Sequence, residues 1–291
     1  MPASACRERP IRAPFAPRSV SATLAGMKAS EADIADRLEL AREAAREAGE
    51  ITLQHFRRDD LEIERKGDDS PVTVADRGAE EHLRQRIAAA FPDDAILGEE
   101  LPDREGTSGF RWILDPIDGT KSFIHGVPLY GTLVGVEHQG ESVVGVNRIP
   151  ALDECVYAGR GQGAWYVSGD RPPVPARVSQ CPRLAEGLFL TSEVVNFDHC
   201  GRRAVYDRLQ AIARLTRTWG DCYGYLMLAT GRAELMVDPI MEVWDAAALL
   251  PILEEAGGTF TDWQGRPTIH SREGIATNGH LLDEVLAITR A

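Results

Sequence analysis

Hydrophobic and polar positions follow two different rhythms along this chain, and the change of rhythm organises it. Over residues 31–56, Ile34, Leu38, Ala41, Ala45, Ala48 and Ile51 recur every three or four positions, the spacing of one helical face. Ser30-Glu31-Ala32-Asp33 resembles a capping box and sets the expected start of that helix. A polar loop at 65–71 leads to a second helical pattern over about 74–91, then to short apolar runs at 95–97 and 111–114. From Tyr130 to Trp165 the rhythm becomes that of strands. Leu133-Val134-Gly135-Val136, Val143-Val144-Gly145-Val146 and Val156-Tyr157 are separated by turn residues. The glycines of Gly159-Arg160-Gly161-Gln162-Gly163 complete no phosphate-loop fingerprint and sit between strand patterns, which predicts a hairpin turn. The stretch 170–182, with four prolines, reads as a linker or exposed loop. Beyond it, strand and helix patterns alternate at 187–190, 202–213, 222–230, 233–237 and 243–256, before a closing helix from about Leu281. The order predicts a layered α/β (mixed α+β) sandwich, one domain over 29–291 built from halves at about 29–170 and 183–291.

The most informative segment is where the apolar run Trp112-Ile113-Leu114 stops. Asp115-Pro116-Ile117-Asp118-Gly119-Thr120 follows at once, which reads as a strand delivering acids to a turn with a helix opening behind it. If Asp115 ends the strand and Asp118 starts the turn, both carboxylates can converge, whereas within a regular strand they would face opposite sides. The Ile117 carbonyl lies between them as a further oxygen donor. Gly119 allows close backbone approach, and the N–H groups of Gly119 and Thr120 can point at a phosphate oxygen. Gly98-Glu99-Glu100 precedes this segment, and Trp244-Asp245 opens an apolar run far downstream. Each alone has a plainer reading: an Asx turn, a solvated acidic pair, a helix cap. Together, hard oxygen ligands at a turn suit Mg²⁺ and a phosphate. Because the acids come from both halves, the site is expected between them.

Composition narrows the field. Hydrophobic residues make up 43% of 291, ample for a core, and no apolar stretch approaches the roughly 20 residues of a membrane span. A net charge of −13 argues against nucleic-acid or anionic-membrane partners. Five scattered cysteines with no C-x-x-C pair fit neither a disulfide framework nor structural zinc, and suit a reducing, cytoplasmic setting. His199-Cys200 is an isolated adjacency with a structural reading. No Ser, Cys or His stands in a nucleophilic constellation, so no covalent phosphoenzyme is expected. Residues 1–28 carry five basic residues against Glu8, with four prolines. They are expected to form a disordered extension; an Arg- and Ser-containing targeting segment, or a true start at Met27, are the other readings.

Glu99-Glu100, Asp115-Pro116-Ile117-Asp118-Gly119-Thr120 and Trp244-Asp245 together resemble the defining motifs of the inositol monophosphatase family, lithium-sensitive Mg²⁺-dependent phosphatases. Val72-Thr73-Val74-Ala75-Asp76 is similar to that family's upstream motif, and the likeness spans about 31–290. The resemblance implies an α-β-α-β-α layered sandwich of the inositol monophosphatase/fructose bisphosphatase type. It implies Glu99, Asp115, Asp118 and Asp245, with the Ile117 carbonyl, as ligands for two or three Mg²⁺ ions. Asp76 would contribute through water, and Thr120, paired with Glu99, would activate the water that attacks the phosphorus. The phosphate would sit at Asp118, Gly119 and Thr120. Family members are commonly dimers, so a homodimer is an expectation.

A narrower likeness concerns substrate. The run from Arg217 to Tyr225, Ala229-Thr230-Gly231, Val237-Asp238-Pro239 and Trp244-Asp245-Ala246-Ala247-Ala248 resemble the histidinol-phosphate phosphatase branch. L-histidinol phosphate carries an amine and an imidazole, both able to be cationic, and acids beside the metals would favour it. Asp221, Asp238 and Glu242 are candidates, with Trp219 and Tyr223 able to stack on a ring or cation. The plainer readings are core packing for Tyr223 and Tyr225 and a solvated loop charge for Glu242. Competing functions are an inositol-1-phosphate phosphatase, another small-molecule phosphatase of the family, and, from a different class, a non-catalytic phospholigand-binding protein.

Overall fold

In the computed structural model, residues 28–58, 60, 63–65 and 71–290 are described. The expectation for residues 1–28 therefore falls almost wholly outside the described residues. Helix α1 (Glu31–Leu53) starts at Ser30, whose hydroxyl accepts the Asp33 N–H at 3.1 Å while the Asp33 carboxylate accepts the Ser30 N–H. Helix α2 (Val74–Ala90) uses the same device, with Thr73 and Asp76. Between them β1 (Ile63–Arg65) and β2 (Pro71–Thr73) form a small antiparallel pair.

A seven-stranded sheet follows in sequence order: β3 (Ala95–Gly98), β4 (Phe110–Asp118), β5 (Gly131–His138), β6 (Glu141–Ile149), β7 (Glu154–Gly159), β8 (Gly163–Ser168) and β9 (Val174–Pro175). Only β3 and β4 are parallel. Both faces are buried, so its strands read as nearly continuous apolar runs. Trp112, Leu114, Val134 and Val136 pack with α1 and α2, while Ile113 and Leu133 pack on the opposite side. That opposite side meets α6 (Asp221–Ala229), α7 (Val243–Ala247) and α8 (Leu249–Glu255). The approach is close: a Cβ on Gly135 would lie 2.6 Å from the Ala247 Cβ, and one on Gly145 2.0 Å from the Ala248 carbonyl oxygen. These two glycines let α7 reach β4, which brings Asp245 to the first half.

The second sheet runs β11 (Leu215–Arg217), β10 (Leu188–Leu190), β12 (Leu235–Asp238), β14 (Gly274–Thr277), β13 (Thr259–Thr261). Leu188, Leu190, Met236 and Ala276 face the central helices, and Phe189, Leu235, Val237 and Ile275 face an outer layer. That layer holds α5 (Arg203–Ile212) and α9 (Leu282–Thr289), with the short α4 (Val195–His199) beside them; α3 (Thr120–Ile124) follows β4. The result is helix, sheet, helix, sheet, helix. No helix among the described residues is long and apolar enough to cross a membrane.

Several elements differ from their sequence expectation. β4 does not stop at Asp115 but runs through Asp118. The proline-rich stretch contains β9, an edge strand paired with β8, where a missing N–H costs nothing if it faces solvent. The apolar run 243–256 is two helices that meet at Ala248. β11, β13 and β14, of three or four residues each, show no periodicity to read.

Candidate active site

The convergence of Asp115 and Asp118 comes from a bulge. Asp115 pairs with Leu133 and Asp118 with Gly131, so two residues intervene on β4 against one on β5. That extra residue cancels the alternation of a regular strand and turns both carboxylates to the same side. Pro116 has no N–H to lose there, and its carbonyl accepts the buried Thr132 hydroxyl at 2.9 Å. The Ile117 N–H donates to Asp115 Oδ1 at 3.1 Å, and the Thr120 hydroxyl donates to the Ile117 carbonyl at 3.1 Å. Gly119 opens α3 in a left-handed conformation, φ +80°.

From the other half, Asp245 stands in the first turn of α7, where one carboxylate oxygen accepts the Glu242 N–H at 2.7 Å. It is cap and site residue at once. Carboxylate oxygens of Asp115, Asp118 and Asp245 all lie within 4.8 Å of one another. Glu99 and Asp76 stand outside this tightest group. Glu99 bears electrostatically on Asp245, and Glu100 on Asp76. Burial, then the charges of Asp221 and Asp245, hold the Asp118 carboxyl well above the usual carboxylate range. Burial, then the charges of Glu99, Glu242 and Asp221, push Asp245 up to about 8. Asp76, 1% exposed, is pushed up to about 6 by burial and by Glu100, against two hydrogen bonds from Thr73. Asp115 is buried and Asp118 and Asp245 half-buried; acids that oppose one another's ionisation and present only hard oxygen fit a divalent cation such as Mg²⁺.

The substrate-side expectations divide. Asp221 is brought to the site: it opens α6 at φ +49°, its N–H donates to Ser192 Oγ at 2.8 Å, and a Cβ on Gly119 would lie 3.1 Å from its Oδ2. Burial, then Asp238, push it up to about 6. Asp238 lies beside Asp221, whose carboxyl its charge helps to raise. It is 4% exposed, and its carboxylate accepts the Ser192 N–H at 2.8 Å, the Thr191 hydroxyl at 3.2 Å and the Tyr225 hydroxyl at 2.9 Å. Three protein donors hold it beneath the loop after β10, while burial raises its own carboxyl. Glu242 stands at the N-cap of α7 in an ion pair with Arg272, and its charge bears on Asp245. Trp219 is 41% exposed with the Arg217 guanidinium 5.9 Å from its ring, while Tyr223 packs partly against the central core and Tyr225 is buried in it.

Some neighbours went unread in the sequence. The Cys222 N–H donates to the Asp118 carboxylate, and Asn147 Nδ2 donates to the Cys222 carbonyl at 2.8 Å. Lys121 on α3 reaches across to Glu193 at 2.6 Å, joining the two halves at the surface. Ser192 and Glu193 follow the apolar run of β10 much as Asp115 follows Leu114, and that strand-end position was the available signal.

Comparison with known proteins agrees with this geometry. Residues 33–291 match the model of the inositol monophosphatase family. A protein named histidinol-phosphatase from Chlorobaculum parvum is 47% identical over 241 residues, covering 82% of this chain and 91% of the relative. A histidinol-phosphatase from Streptomyces coelicolor is 38% identical over 87% of this chain and 97% of its own. Among solved structures, the extragenic suppressor protein suhB of Bartonella henselae superposes with a TM-score of 0.81 at 29% identity, covering 88% of this chain and 98% of that one. With its motifs gathered at one bulged strand and one helix start, and its length matched almost end to end, the chain belongs to the inositol monophosphatase family.

Proposed function

We propose that this chain hydrolyses the phosphate monoester of L-histidinol, releasing L-histidinol and phosphate by direct attack of water. The observation that carries the choice of substrate is Asp221, a carboxylate held against Gly119 and Asp118 where an alcohol bearing cationic groups would extend from the phosphate. The relatives named histidinol-phosphatase support the same reading. Asp115, Asp118, Asp245 and Glu99, with the Ile117 carbonyl, would hold two or three Mg²⁺ ions. When bound, Mg²⁺ supplies positive charge that offsets the phosphate and the leaving oxygen, and it lowers the pKa of water.

The protein's own part is placement. Gly119 and the start of α3 receive the phosphate, with backbone N–H groups available to its oxygens. The Thr120 hydroxyl donates to the Ile117 carbonyl, which leaves its own lone pairs to accept a hydrogen bond from the attacking water and orient it, while the Glu99 carboxylate would take the proton that the water gives up. Asp76 supports this arrangement from the start of α2. The Cys222 N–H steadies Asp118, and Asp221 steadies the cationic end of the substrate.

The experiment is phosphate release by the purified protein in Mg²⁺ with L-histidinol phosphate, myo-inositol 1-phosphate and adenosine 3′,5′-bisphosphate. A kcat/KM at least tenfold higher for histidinol phosphate supports the reading. A preference for the inositol ester would favour the second one, consistent with the 33% identity to a Thermotoga maritima protein named fructose-1,6-bisphosphatase/inositol-1-monophosphatase.

A further inference from the structure

We propose that Glu80, with its partner Arg84, is the positioning device that sets where Glu99 stands, and that it thereby tunes the affinity of the acidic site for Mg²⁺. The inference rests on the metal reading above and adds residues that the motifs do not contain.

Glu99 and Glu100 belong to neither helix nor strand; they form bends just after β3 ends at Gly98. A side chain on such a segment holds a useful position only if its backbone is fastened. One tie comes from β4, where the Leu114 carbonyl accepts the Glu99 N–H at 3.2 Å, one residue before Asp115. Four others come from α2. Glu80 Oε2 accepts the Glu100 N–H at 2.8 Å and Oε1 accepts the Leu101 N–H at 3.2 Å. Arg84 Nη2 donates to the Leu101 carbonyl at 3.0 Å and Nη1 to the Pro102 carbonyl at 2.9 Å. Arg84 Nε closes the arrangement on Glu80 Oε1 at 2.7 Å.

An ordinary ion pair four residues apart on a helix stays at the surface and contributes a few tenths of a kcal/mol. This pair differs in two respects. The Glu80 side chain is fully buried, and both partners spend their remaining hydrogen bonds on a segment 17 to 21 residues away rather than on α2. Gly98 shows how tightly the segment is seated. A Cβ there would lie 2.0 Å from Glu80 Oε1 and 2.7 Å from Arg84 Nη2. Glu80 also lies one turn beyond Asp76, so both project from the same face of α2. One rigid helix therefore carries a site acid at its start and, one turn on, the anchor for a second site acid. Glu80 touches neither substrate nor metal; it acts through Glu99.

The test is Mg²⁺ titration of the purified full chain, read as the rise in melting temperature and separately as phosphate release. Outer partners of metal ligands typically change metal affinity about 10- to 100-fold. Glu80→Gln should shift half-saturation by Mg²⁺ upward by that factor in both readouts. At saturating Mg²⁺, kcat should return to within a few fold of the parent and the KM for substrate should be unchanged. Arg84→Met, which removes the two carbonyl ties but leaves Glu80 on the backbone N–H groups, should move half-saturation the same way by less. If Glu80→Gln does not fold, Arg84→Met alone decides. Unchanged Mg²⁺ half-saturation in the folded variants, beside a clear Mg²⁺ shift in the parent, overturns this inference and leaves the metal site standing. Absence of any Mg²⁺ shift in the parent overturns the metal reading and this inference with it.

Discussion

Asp94, buried, and Asp118, half-buried, are both aspartates of the first half of the molecule, and they live in opposite circumstances. Asp94 accepts Arg37 Nε at 2.9 Å, Arg37 Nη2 at 3.0 Å, the Ser108 hydroxyl at 2.6 Å and the Trp112 indole N–H at 2.9 Å. Its charge is matched and its lone pairs are filled. Asp118 receives the backbone N–H of Cys222 and otherwise faces other acids. Burial costs a carboxylate dearly unless it is paired, and only the first is paired by the protein itself. Burial alone thus does not mark a functional acid. Burial among like charges does, and it indicates that the missing counter-charge arrives from outside. Asp238 falls between the two: three neutral donors fill part of its carboxylate as they do for Asp94, but it pairs with no cation among the described residues and lies beside Asp221.

The contrast can be broken most sharply at Asp118. Asp118→Asn should lower kcat/KM by about a thousandfold or more, since a ligand that helps hold several kcal/mol of transition-state charge stabilisation is removed. The same change should raise the melting temperature in EDTA, because one member of a repelling group becomes neutral. A lower melting temperature would show that the charge is compensated after all. Arg37→Met should do the reverse. Leaving Asp94 buried and short of its partner should cost about 3 kcal/mol of stability in urea unfolding, while kcat per folded molecule stays near the parent value.

A pH series sharpens the same point. Burial raises Asp76 and Asp221 to about 6, and Asp245 to about 8. The folded metal-free chain therefore keeps protons that the unfolded chain has already released near pH 4. The contribution of these groups to stability in EDTA should be fully present below about pH 4, fall most steeply between about 4 and 6, where all three hold protons back, and fall more gently up to about 8, where Asp245 alone does. Mg²⁺ should flatten the fall, because the cation takes over the protons' role. A metal-free melting temperature that rises over this interval would contradict the repulsion described for the cluster.

Smaller effects come from the second half. Asp221→Asn should raise the KM for L-histidinol phosphate about tenfold, the loss of one charge-assisted contact, and leave that for myo-inositol 1-phosphate nearly unchanged. Equal changes for both substrates would make Asp221 a support for α6 rather than a specificity residue. Tyr225→Phe removes one of the three donors to Asp238 and should cost about 1 kcal/mol of stability. If it instead raised KM as much as Asp221→Asn, Asp238 would belong with the site acids.

What the sequence determined by itself was local. Helical periodicity placed α1 and α2 to within a few residues, with a capping box marking the start of α1, because a helix satisfies its bonds within its own segment and shows its buried face every three or four positions. The meander was legible because its strands pair with their neighbours in sequence and are separated by short turns, and the cluster of acids because it stands at the end of an apolar run. Tertiary structure decided the rest. The bulge that turns Asp115 and Asp118 to one side depends on pairing with β5. The meeting of Asp245 with Asp115, 130 positions apart, depends on Gly135 and Gly145 admitting α7. Whether Asp238 looks inward to Tyr225 or outward to a ligand, and whether Glu80 is a surface charge or an anchor, cannot be told from residue type. Each depends on which distant backbone groups arrive beside it, and burial prices a carboxylate by those neighbours rather than by its place in the chain.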